Sequence, residues 1–122
     1  KMKMEYTINQ VCKKYNLNAS TLRYYEKERL LPPIKKNTSN QRVYNDDDLK
    51  WLDMIMCMRN TGMTIAYIRN YIDLCKQGDK TLDQRYEILK KQKEILLLQQ
   101  QELNKHIEMV NYKIDLHENK LK

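Results

Sequence analysis

At 122 residues the chain has room for one small domain, or for a small domain joined to one long helix. Two Gly, two Pro and no Phe make the composition helix-rich, and 23 Lys/Arg against 16 Asp/Glu give a net charge of +7. There is no apolar run of about 18 residues and no signal-peptide-like apolar stretch behind the basic N-terminus, which excludes a membrane span and implies a cytoplasmic protein.

Helix starts are well marked. Thr7-Ile8-Asn9-Gln10 has capping-box spacing, with Tyr6 and Val11 placed as a hydrophobic staple. Ile8, Val11, Cys12 and Tyr15 then form one apolar stripe. Asn16-Leu17-Asn18 is a turn, and Asn18 is placed to cap a second helix running to about Arg29. Two short helices about a tight turn read as a helix-turn-helix. Leu31-Pro32-Pro33-Ile34 cannot continue a helix, and Asn37-Thr38-Ser39-Asn40 is turn chemistry, so residues 31–44 are expected to form a β-hairpin wing.

Asn45 followed by Asp46, Asp47 and Asp48 is a cap plus a first turn of acids, which a helix dipole favours. Helix initiation is the more economical account of these acids than a metal site. The third helix is expected to turn Trp51, Met54, Ile55 and Met58 toward the core. Thr61-Gly62-Met63-Thr64 interrupts it, and a fourth helix aligns Ile65, Ile68, Ile72 and Cys75. A second capping-box pattern, Thr81-Leu82-Asp83-Gln84, opens a segment without Gly or Pro. In it Leu82, Leu89, Leu96, Leu103 and Val110 recur every seven residues, with Tyr86, Ile107, Ile114 and Leu121 in the partner position. A stripe on a helix of about 40 residues, roughly 60 Å long, needs a second copy to cover it. Lys93 and Gln100 interrupt the stripe, either to penalise wrong registers or because the helix leaves its partner there. The expected organisation is residues 1–80 as a winged helix-turn-helix domain (helices and wing 6–45, helical pair 46–77) and 81–122 as a dimerisation helix.

Charge is segregated. Residues 1–45 carry ten Lys/Arg and three Asp/Glu (10 − 3 = +7), while residues 46–81 sum to −1 and 82–122 to +1. The whole excess therefore sits with the first two helices and the wing, the footprint of a polyanion-binding surface. Arg23, Tyr24 and Tyr25 cannot all pack inside so short a helix. At least two must face out, where guanidinium and phenol groups suit phosphates and base edges.

Thr21-Leu22-Arg23-Tyr24-Tyr25-Glu26, the Leu30-Leu31-Pro32 exit, Arg42-Val43-Tyr44 and Gly62-Met63-Thr64-Ile65 closely resemble the MerR family of bacterial transcription regulators. The resemblance runs from about Tyr6 to the end of the chain. It implies a mainly α fold: a winged helix-turn-helix whose long C-terminal helix forms an antiparallel coiled-coil dimer. It also implies a two-fold promoter element in an overlong spacer, distorted so that RNA polymerase can use it. An inducer can act only by favouring the protein state that holds DNA in the productive shape.

Roles follow from the resemblance position by position. Arg23 matches the base-reading position and Tyr24 a base or backbone contact, while Tyr25 combines core packing with a phosphate hydrogen bond. Thr7, at a helix N-terminus, suits a phosphate. Ser20 and Thr21 are backbone-contact candidates or, equally, capping and packing residues. Arg42 matches a phosphate or minor-groove contact on the wing, and Lys35 and Lys36 add nonspecific attraction. Tyr44 is a further contact or a wing-to-core staple. Arg59, Asn60 and Tyr67 are phosphate candidates around a second wing.

The signal is a separate question. Metal-responsive members of the family carry paired Cys at the start of the dimer helix and beyond, whereas here no Cys follows Cys75 and His106 and His117 lack a chelating spacing. No metal or other cofactor is expected. The further C-terminal domain of drug-binding members is not expected either, so the expected signal is a small ligand or a covalent change. Cys12 and Cys75 lie in apolar stripes and read as small buried hydrophobes. Cys57, in Cys57-Met58-Arg59-Asn60-Thr61-Gly62, resembles the thiol- and aldehyde-responsive subgroup of AdhR- and NmlR-like regulators. It is the sensor candidate, against a packing role with a noncovalent ligand bound elsewhere. An enzyme is disfavoured because no orienting group or oxyanion element accompanies a Cys and two distant His. A coiled-coil adaptor would not require the segregated charge.

Overall fold

The computed structural model describes residues 4–122. Lys1 and Lys3, two of the ten N-terminal cations counted above, lie outside the described residues. The chain forms two compact units, one ending at Thr81 and the other spanning Leu82–Lys122. The first contains β1 (Glu5–Thr7), α1 (Ile8–Tyr15), α2 (Ala19–Lys27), β2 (Lys35–Lys36), β3 (Arg42–Asn45), α3 (Asp46–Asn60) and α4 (Ile65–Lys76), then a single 3-10 turn over Asp79–Thr81. The second is one helix, α5 (Leu82–Leu121).

The wing is the β2–β3 hairpin, and it is joined by a strand that the sequence pattern had not revealed. β1 pairs antiparallel with β3, Tyr6 opposite Tyr44, so the sheet order is β1-β3-β2. Three residues are too few to display alternation. This strand ties the entrance of α1 to the wing, fixing one against the other.

Local signals position the helices. The Thr7 Oγ1 accepts from the Gln10 amide at 3.1 Å while the Thr7 amide donates to the Gln10 side chain at 2.8 Å, completing the capping box. Asn16 ends α1 in the left-handed region at φ 55°. Asn18 starts α2 with extended backbone but makes no side-chain capping bond. α2 stops at Lys27, two residues before the expected end. Arg29 turns the chain at φ 62°, the Leu30 amide returns to the Tyr25 carbonyl at 2.9 Å, and Leu30 and Leu31 drop into the core. Asn45 and Asp48 form a second reciprocal cap, both bonds 2.9 Å, at the head of α3.

The core face of α3 differs from the expected one. Leu49, Leu52, Ile55 and Met58 are buried, while Trp51 and Met54 are only half-buried. Apolar residues occur all round this helix, so its sequence carries little phase information. On α4 the buried residues are Ile68, Tyr71 and Ile72; Ile65 and Cys75 are half-buried, as is Cys12 on α1. Two phenols lock α3 to β1 and α1. Tyr6 donates to Asp46 at 2.9 Å, and Tyr15 donates to the Asp53 carboxylate. The carboxylate bond raises the Tyr6 pKa, and burial followed by the Asp53 bond raises that of Tyr15. Thr81 is buried, its hydroxyl 2.6 Å from the Leu74 carbonyl and 3.0 Å from that of Gly78.

Candidate nucleic-acid interface

An open groove of about 590 Å³ runs between the N-terminus of α1, the face of α2 and the wing. Thr7, Arg23 and Arg42, distant in sequence, all line it, together with Ile8, Asn9, Asn37, Asn40 and Gln41. Helix starts point their first amides outward. At α1 the capping box occupies the Thr7 and Gln10 amides, leaving those of Ile8 and Asn9, two residues that line the groove, as the first-turn donors. Arg23 is exposed and makes no hydrogen bond or ion pair among the described residues. A helix N-terminus and two guanidinium groups in one concave surface suit a phosphodiester backbone.

The other aromatic candidates divide. Tyr24 is 45% exposed, its ring centroid 6.3 Å from that of Tyr25. Tyr25 itself is buried, so its ring packs in the core. Tyr44 is 1% exposed and its hydroxyl has no hydrogen-bond partner among the described residues, so its ring packs in the core as a wing-to-core staple would. Burial pushes its pKa up to about 12. Ser20 is exposed in the first turn of α2 and Thr21 is half-buried behind it.

On the wing, Lys35 and Lys36 are exposed on β2. The tip is organised by Asn37, whose Oδ1 accepts from the Ser39 amide at 2.9 Å and the Gln41 amide at 3.0 Å. Asn40 adopts φ 60°, a conformation in which Asn is among the better tolerated residues. Arg42 is not a loose cation. Its Nε donates to Glu26 Oε1 at 2.8 Å, and the two side chains are 25% and 20% exposed. Neither Asn37 as turn keystone nor Glu26 as holder was among the sequence-derived site residues. The available signal for Glu26 was its position one turn after Arg23 on the same helix face.

The α3–α4 turn is the segment expected from the sequence to act as a second wing. Arg59 Nη1 donates to the Met63 carbonyl at 2.9 Å and so closes the turn, while Gly62 takes φ 90°, a conformation that favours glycine. Asn60 and Tyr67 are exposed on either side, and Thr64 caps α4 by accepting from the Tyr67 amide at 3.2 Å. Cys57 is exposed on α3, the most open of the three free cysteines. On α5 no side chain is buried, and Leu82, Tyr86, Leu89, Leu96, Leu103, Ile107, Val110 and Ile114 all stand exposed.

A strand-braced helix-turn-helix with two arginines in the groove under its wing, followed by a long apolar-striped helix, defines a winged DNA-reading protein class. The model of the MerR HTH regulatory protein family matches residues 6–75. The transcriptional regulator AdhR of Bacillus subtilis is 42% identical over 90 residues, which are 74% of this chain and 64% of AdhR. An uncharacterized HTH-type regulator of Haemophilus influenzae is 32% identical, covering 91% of this chain and 82% of its own. Among solved structures, HiNmlR, a MerR family regulator lacking the sensor domain and bound to promoter DNA, superposes with a TM-score of 0.81. It is 31% identical and the match covers 95% of this chain and 92% of that one. A MerR family regulator from Bacillus thuringiensis gives a TM-score of 0.76 at 39% identity, over 91% and 97% of the two chains. The chain belongs to the MerR family of helix-turn-helix transcriptional regulators, which are not enzymes.

Proposed function

We propose that this regulator works as an antiparallel homodimer that grips a two-fold promoter element and reports a thiol or aldehyde stress through Cys57. The observation that carries the DNA reading is the convergence of Thr7, Arg23 and Arg42 on one groove. In this reading Arg23 and Tyr24 address base edges, and the α1 amides, Arg42 and Lys35 seat the backbone. Ser20 and Thr21 border the same helix start. Arg59, Asn60 and Tyr67 meet a more distant phosphate from the second wing. Two copies joined along α5 set the half-site spacing by geometry, and the distorted spacer is presented to RNA polymerase. Such work takes place on the chromosome, in the bacterial cytoplasm.

Cys57 supports the sensing part of the proposal by its exposure and by its place on α3, the helix leading into the second wing. An adduct there shifts α3 and α4, and the protein state that it favours changes the shape of bound DNA. Two measurements test the proposal. Arg23→Ala is expected to abolish discrimination between a selected operator duplex and a scrambled one while the dimer survives; retained discrimination refutes the contact assignment. Promoter output under formaldehyde, methylglyoxal or diamide is expected to rise in wild type and stay flat in Cys57→Ser. Equal induction in both proteins removes Cys57 from the mechanism and points to a noncovalent small ligand.

A further inference from the structure

We infer that Glu26 is a positioning residue for DNA recognition: it ties the wing to the reading helix and aims the free edge of Arg42 into the groove. The inference rests on the reading of that groove as a phosphate seat and adds a residue to it. Glu26 makes no contact with DNA in this account. It acts through Arg42.

The geometry is specific. Glu26 Oε1 takes the Nε proton of Arg42 at 2.8 Å, and its other oxygen lies 3.5 Å from the Ile34 amide at the entrance to the wing. One carboxylate therefore touches both the outgoing and the returning arm of the hairpin. A guanidinium is a planar fork, so engaging Nε fixes the plane and leaves the two terminal amino groups as donors. Arg42 lines the groove alongside Arg23 and Thr7, and Arg23, one helical turn before Glu26, is unpaired among the described residues. The acid holds one arginine in a fixed pose and leaves its helical neighbour free to read.

Electrostatics alone predicts the opposite of positioning, which makes the inference testable. A carboxylate beside a phosphate seat repels DNA, so removing its charge should tighten binding to every duplex. If Glu26 positions Arg42, removing it instead lowers affinity for the cognate sequence.

The test uses the full chain, a duplex selected by the wild-type protein from a random pool, and a scrambled duplex of the same composition. Glu26→Gln keeps the shape and loses the charge; Glu26→Ala loses both. Glu26→Ala is expected to bind the scrambled duplex at least as tightly as wild type and the selected duplex about threefold to tenfold more weakly, whereas Glu26→Gln, whose amide oxygen still accepts the Nε proton, is expected to lose less. In an Arg42→Ala background, Glu26→Ala is expected to cause no further loss. Thermal unfolding midpoints measured in parallel separate positioning from simple destabilisation, since a general structural role would persist without Arg42. Affinity that rises equally for both duplexes, or a Glu26→Ala loss undiminished in the Arg42→Ala background, overturns the inference alone. A wild-type protein that selects no duplex overturns the groove reading, and this inference with it.

Discussion

Arg69 of α4 grips Glu28 at the end of α2 twice, Nε donating to the carbonyl oxygen at 2.8 Å and Nη2 to the carboxylate at 2.7 Å. The contact crosses 41 positions of sequence and joins α4 to the end of α2. It also satisfies a carbonyl where the chain turns through Arg29 at φ 62°. Both side chains are about seven-tenths buried, 27% and 30% exposed, so solvent screens the pair only in part. Arg69→Ala is expected to lower stability by about 1–2 kcal/mol, between the values of an exposed pair and of a charged hydrogen bond. Arg69→Lys should recover less than half, because an ammonium cannot reproduce the fork. Urea unfolding at one fixed protomer concentration measures both.

A different kind of access separates the cysteines. Cys57 is exposed, whereas Cys12 and Cys75 are half-buried on α1 and α4. In the folded protein, iodoacetamide is expected to label Cys57 first, with the other two limited by local opening. In strong denaturant the three rates should converge. Peptide mass spectrometry over a time course reads the order, and equal labelling of all three in buffer contradicts it.

Much of this fold was legible because its punctuation is local. Thr7 with Gln10 and Asn45 with Asp48 announce helix starts within four residues, and the Pro32-Pro33 break announces the wing. The charge excess confined to residues 1–45 singled out that segment, and the family resemblance singled out Arg23 and Arg42 within it. What escaped is long-range. β1 exists only because Tyr6 finds Tyr44, Glu26 matters only because Arg42 folds back onto it, and Arg69 matters only through Glu28. None of these pairings has a periodicity. The phase of α3 was lost for another reason: Trp51 and Met54 are apolar enough to mask the stripe of Leu49, Leu52 and Ile55.

Tyr44 gives a pH prediction with a definite sign. Its hydroxyl is buried without a partner among the described residues, and burial raises its pKa from the ordinary 10.0 to about 12. The unfolded chain therefore releases this proton first as pH rises. The contribution to stability is complete below pH 10 and is lost progressively as pH rises through 12. The loss amounts to about 2–3 kcal/mol. Tyr44→Phe should flatten that part of the decline. At neutral pH it should be neutral or stabilising by about 1 kcal/mol, since it removes an unsatisfied buried hydroxyl. Wild type and variant unfolded side by side from pH 8 to 12 give the difference curve; parallel curves would show that Tyr44 ionises freely in the fold.

The apolar stripe on α5 calls for a control on the same helix. Leu96 and Leu103 lie on the seven-residue repeat, 37% and 59% exposed, while Leu98 is 62% exposed but two residues off it. Two residues along an α-helix turn a side chain by about 200°, so Leu98 points away from the stripe. Leu and Lys have similar helix propensity, so exchanging them changes burial far more than helicity. Leu96→Lys is expected to weaken the homodimer at least about 100-fold, since the loss is counted once in each copy. Leu98→Lys should leave it intact. Sedimentation velocity across a range of concentrations reads both. Dissociation by both substitutions alike would mean that general hydrophobicity, and not the heptad face, holds the copies together. Dissociation by neither would assign the 40-residue stripe to something other than a second copy.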